Sequence, residues 1–82
     1  MALDDELIKK IITKLNEVYP KDIKNMKEIL PDYEDQEKVC LHLFHLRDSR
    51  CVSFIDLSSR DGKACCNIKL TPYGVEYFKS LS

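Results

Sequence analysis

Six residues of this chain could hold a metal ion or carry nucleophilic chemistry: Cys40, His42, His45, Cys51, Cys65 and Cys66. Structural zinc sites need closely spaced Cys pairs, or a Cys pair with a His pair, to close a tetrahedron. Neither arrangement is present. His42 and His45 stand three residues apart, which on a helix leaves them about 60° apart around the cylinder. Cys65 and Cys66 are adjacent, so on a strand they point to opposite faces. The spacing therefore predicts no metal site. Cys40, Cys51 and Cys66 read as small core residues, and Cys65 as a partly exposed thiol. A cysteine near a histidine can be a nucleophile with its base, but no orienting third residue or oxyanion loop is recognisable. Two glycines in 82 residues leave no glycine-rich phosphate loop. The expectation is a non-enzymatic protein with no catalytic residue, no cofactor and no small-molecule substrate, acting by binding.

The totals narrow what it could bind. Thirteen basic and fourteen acidic residues give a formal net charge of −1. A dedicated nucleic-acid binder usually carries a basic excess, because neutralising phosphates supplies most of its non-specific affinity. That excess is absent, although a local patch could replace it. No apolar run approaches the roughly 20 residues needed to cross a bilayer, and the start Met-Ala-Leu-Asp-Asp-Glu lacks the basic and apolar regions of a signal peptide. The expectation is a cytoplasmic protein with reduced thiols, folded as a single domain over residues 1–82.

The elements that must position these residues follow from periodicity. Leu7, Ile8, Ile11, Ile12, Leu15 and Val18 recur at helical spacing, so residues 4–18 read as an amphipathic helix that Asp4 or Asp5 can cap. Ile23, Met26, Ile29 and Leu30 suggest a second helix over residues 22–30, stopped by Pro31. Residues 34–48 read as a third, with Val39, His42, Leu43 and Leu46 on one side. Its opposite side carries Glu34, Glu37, Lys38, Leu41, His45 and Asp48. Residues 51–57 and 64–70 read as two strands of a hairpin whose tip holds Asp61-Gly62. Thr71 is a natural N-cap and Pro72 a natural first residue for a short closing helix with Val75 and Phe78 on its apolar side. The predicted fold is α+β: three helices, then a two-stranded β-hairpin wing and a short C-terminal helix, the winged helix-turn-helix arrangement.

At this point the residues resemble a known group. The run Val39-Cys40-Leu41-His42-Leu43-Phe44-His45-Leu46, a hairpin, and then Leu70-Thr71-Pro72-Tyr73-Gly74 are similar to winged helix-turn-helix proteins. Small bacterial and phage proteins of that superfamily share a His-containing third helix, a Leu-Thr-x-x-Gly ending, and a start like Asp4-Asp5-Glu6-Leu7-Ile8. The element Leu-Thr-x-x-Gly carries information on fold and almost none on function. One departure matters. The family often has a glycine between third helix and wing, where this chain has Asp48-Ser49-Arg50-Cys51. Without glycine, Ser49 or Arg50 is expected to hold an unusual backbone conformation.

The resemblance implies two kinds of partner. If the partner is DNA, in the service of transcription regulation, the third helix enters the major groove and the wing touches the backbone. The candidate contacts are Lys38 and His45 on the third helix, Arg60 and Lys63 at the wing tip, and Lys24 and Lys27 as phosphate anchors. Against this, residues 34–48 carry Glu34, Asp35, Glu37 and Asp48 but only Lys38 and Arg47, a net −2 with histidines neutral. If the partner is a protein, or a second copy, the candidate contact is Leu41, with Phe44 at its edge and Glu37 on its acidic rim. The leading expectation is a small regulatory module acting by protein–protein interaction, with DNA binding as the alternative.

Overall fold

Asp4 opens the first helix. In the computed structural model, which describes residues 3–62 and 64–81, its carboxylate accepts the Leu7 N–H at 3.1 Å and α1 runs Asp5–Val18. Leu7, Ile8, Ile11, Ile12 and Leu15 are buried, so the stripe read from periodicity is the one that packs. Burying each such side chain contributes about 1.5–3 kcal/mol.

The second predicted helix is not formed. Ile23–Asn25 is a strand, β1, and Met26–Glu28 is a single 3₁₀ turn capped by the Asn25 side chain on the Lys27 N–H at 2.9 Å. β1 pairs antiparallel with β3 (Cys65–Leu70), Ile23 opposite Ile68 and Asn25 opposite Cys66. A segment confined between Pro20 and Pro31 is too short for a self-sustaining helix in water, so pairing decides its state. The next full helix is α2, Gln36–Asp48, capped by Asp35 on the Lys38 N–H. The winged helix-turn-helix layout is thereby overturned. Two α-helices, not three, precede β2 (Val52–Asp56), and the sheet has three strands in the order β1-β3-β2 before the closing helix α3, Pro72–Leu81.

Within β3 the side-chain alternation changes phase. Asn67 has φ 53°, in the left-handed region that asparagine tolerates better than most residues. The β2–β3 register slips by one there, with Ser53 opposite Lys69 but Ile55 opposite Cys66. This bulge reverses the expected roles of the paired cysteines: Cys65 is buried, and Cys66 is half-buried.

The far end of α2 is locked to the start of α3. Arg50 has φ 65°, Arg50 N–H bonds the Arg47 carbonyl and Cys51 N–H bonds the Leu46 carbonyl, both at 2.9 Å. That is a Schellman ending with arginine where glycine is usual, at the position where the missing glycine led us to expect strain. Thr71 donates its hydroxyl to the Arg50 carbonyl and accepts the Gly74 N–H, while its own N–H bonds the Cys51 carbonyl. Gly74 is required by this approach, because a Cβ there would lie 2.0 Å from the Cys51 oxygen.

Candidate functional site

The beginning of α2 is built differently. Gln36 donates through Nε2 to the carbonyls of Leu30 and Tyr33, at 2.8 and 2.7 Å, and so holds the preceding segment against the helix. These two donations fix the amide orientation, because the reverse placement would set oxygen against two carbonyl oxygens. Gln36 Oε1 is left buried with no hydrogen-bond partner among the described residues. Gln36 also helps line a groove of about 410 Å³, with Met26, Glu37, Cys40, Leu41, Asp61 and Gly62. Met26, Cys40 and Leu41 give it an apolar surface, and Glu37 and Asp61 give it carboxylates.

The hairpin brings the last two residues there. Ser59 and Gly62 exchange backbone bonds at 2.9 and 3.2 Å across Arg60-Asp61, and Gly62 takes φ 143°, a conformation open to glycine. The helix side follows from wheel position: Glu37 and Leu41 are one turn apart on α2. Beside the groove, a second hollow of about 630 Å³ is lined by Asp32, Tyr33, Glu34, Asp35 and Lys38. The start of α2 is thus acidic. Lys38, in the first turn of α2, has its Nζ 3.2 Å from the Asp4 carboxylate. The Leu7 N–H and then Lys38 hold the Asp4 carboxyl below the ordinary carboxylate value, and Asp4 in turn pushes the Lys38 ammonium up.

His42 lies behind this surface and is fully buried. Its Nδ1 is 2.7 Å from the Lys38 carbonyl and its Nε2 accepts the Asp4 N–H at 3.0 Å. A carbonyl needs a donor and an N–H needs an acceptor, so the ring is the neutral Nδ1–H tautomer. It joins the start of α1 to the middle of α2. His42 is a structural clip, well away from any open surface.

The structure brings Leu41 and Glu37 into one groove and separates Phe44 from them. Phe44 stacks on Phe54 of β2, ring centroids 5.0 Å apart, with the Arg47 guanidinium 4.9 Å above Phe44 and 5.0 Å above Phe54. The residues suggested for DNA lie on several elements. Lys24 sits exposed on β1, Lys27 in the 3₁₀ turn, Arg60 at the hairpin tip and His45 half-buried on α2, while Lys63 lies outside the described residues. Met26, Gln36, Asp61 and Gly62 were not singled out from the sequence as site residues, and Cys40 was weighed only as a metal or nucleophile candidate and read as core. The Asp-Gly turn signal pointed to the hairpin tip, not to a groove.

Burial, and then the Cys40 thiol beside it, push the Cys65 thiol up to about 12, and burial also raises Cys51. Among the described residues no group of three or more His, Cys, Asp or Glu side chains is placed to hold a metal ion. No described helix is long and apolar enough to cross a membrane. Comparison with protein-family models, curated proteins and solved structures returns no match to this chain.

Proposed function

We propose that this chain is a small non-enzymatic interaction module whose groove at the start of α2 takes a segment of a partner protein carrying an apolar residue next to a lysine or arginine. One observation carries the reading: apolar Leu41, Met26 and Cys40 share a groove with the carboxylates of Glu37 and Asp61. Lys38, one residue beyond Glu37 on α2, is paired with Asp4. An apolar side chain gains by leaving water there, and an adjacent cation meets complementary charge. The same carboxylates, with Asp32, Glu34 and Asp35 alongside, repel a phosphate backbone. Charge complementarity therefore favours a basic peptide over nucleic acid.

Two short peptides test this, one alternating leucine with arginine and one alternating leucine with glutamate. Amide chemical shifts of Glu37, Leu41 and Gly62 should move with the first and not with the second, and the effect should weaken with added salt. Leu41→Ser and Glu37→Lys should each reduce it while leaving the melting temperature close to that of the parent. Equal binding of both peptides, or shifts that map away from the groove, would defeat the proposal.

A further inference from the structure

The outer strand β2 carries an unguarded edge. In the order β1-β3-β2, among the described residues only one side of β2 is paired. Leu57 N–H donates to the Ala64 carbonyl at 2.8 Å, and the Cys51 carbonyl accepts the Thr71 N–H at 3.1 Å. In an antiparallel ladder, residues alternate between those that bond the neighbouring strand and those that turn N–H and C=O away from it. Cys51, Ser53, Ile55 and Leu57 therefore bond towards α3 and β3. Val52, Phe54 and Asp56 turn their backbone groups to the open side. Because the bulge lies at Asn67 on β3, this alternation runs unbroken along β2.

Edges of this kind are normally protected by charges, prolines or bulges. The one charge on β2 is Asp56, and Arg47 already sits 3.7 Å from it. The side of the strand facing away from α2 carries Ile55 and Leu57, 52% and 55% exposed. Apolar side chains left in water next to unpaired backbone groups are what an added strand would cover.

We infer that the occupant is a second copy of this chain, joined antiparallel through β2 about a two-fold axis at Ile55. The register follows from charge. Backbone bonds across the seam require even-numbered residues to oppose even-numbered ones. Placing Asp56 opposite its own symmetry mate sets two carboxylates together, which is unfavourable. Placing Phe54 opposite its mate sets Asp56 against buried Val52 and Ile55 against Ser53. With Ile55 on the axis, Phe54 faces the second copy's Asp56, and Ser53 faces its Leu57. The guanidinium of Arg47 lies 5.0 Å above Phe54, so that incoming carboxylate meets a cation already in position. Arginine and aspartate then alternate along the seam, and the two Ile55 side chains meet at a non-hydrogen-bonded pair, where Cβ atoms come within about 5 Å. This surface is separate from the groove and does not depend on it.

Sedimentation equilibrium over a concentration series tests the association, and a cysteine pair tests the register. In a Cys66→Ser background, Ile55→Cys should form a covalent dimer with oxidised glutathione, two protein thiols giving one disulfide and two reduced glutathiones. Ser53→Cys in the same background should not, since it faces Leu57 of the second copy. Ile55→Lys should sediment as a monomer with an unchanged far-UV circular dichroism spectrum. A monomer mass for the parent at every concentration overturns the proposal. So does equal cross-linking of the two cysteine variants.

Discussion

The two ends of α2 make a useful contrast. At its C-terminal end, carbonyls that a helix normally leaves unpaired are satisfied by Arg50 and Cys51, and the Thr71 side chain joins Arg50 to Gly74. Glycine is the one residue that fits at Gly74. At the N-terminal end, Gln36 Oε1 lacks a partner among the described residues, and Glu37 and Asp61 line a groove. The first end is specified by close contact and has no spare capacity. The second has unused hydrogen-bonding and apolar capacity, which is what a binding surface requires. The contrast separates residues that hold the fold from residues free to meet a partner.

The sharpest way to break this contrast is Gly74→Ala. With a Cβ driven into the Cys51 oxygen, the joint must open, at a cost of about 3 kcal/mol. For a domain this small that lowers the melting temperature by roughly 12–24 °C, measurable by circular dichroism. His42→Leu should cost less, about 2 kcal/mol, by taking the acceptor from the part-buried Asp4 N–H and removing the ring's own bond to the Lys38 carbonyl. A melting temperature unchanged in either variant would refute the packing account.

Acid should act next, and more weakly. The folded-state carboxyl of Asp4 lies below its ordinary value of 3.8, held there first by the Leu7 N–H and then by Lys38. The unfolded chain therefore takes up the proton first as pH falls. The contribution is fully present above 3.8 and disappears as pH drops through the lower folded value. Melting curves from about pH 5 to about pH 2 should show this decline in the parent and a shallower one in Asp4→Asn. Smallest of all, Leu41→Ser at the open end should change stability by no more than about 0.5 kcal/mol.

What could be read from the sequence follows the same division. The stripe of α1, the Thr71-Pro72 start of α3 and the strained residue after α2 were legible because each depends on neighbours within a turn or two. An unusual backbone at Ser49 or Arg50 was expected from the absence of a glycine alone, and Arg50 is the one that carries it. β1 was not legible: Ile23, Met26, Ile29 and Leu30 have helical spacing, and the strand exists because of Ile68, far along the chain. Cys65 and Cys66 were read in reverse, since alternation holds only while every residue keeps an extended backbone, and Asn67 does not. In the groove, Leu41 and Glu37 could be placed on one face of a helix by angle. The arrival of Asp61 and Gly62 depends on how the hairpin folds over, which no local pattern encodes.

The shortness of β1 carries a kinetic consequence. The Ile23–Ile68 pair joins residues 45 apart in sequence through a strand of three residues. The hairpin and the Arg50–Thr71 joint close over much shorter spans, so they can assemble first and β1 can dock later. The last part to dock is commonly the first to detach, and the amides of Ile23–Asn25 should exchange with solvent by partial opening while those of Thr71 and Gly74 wait for global unfolding. Met26 follows β1 directly and forms one wall of the groove. The groove is then a transient enclosure, fully formed only while its last strand is in place, and a ligand that fills it would slow exchange in β1 without touching that strand.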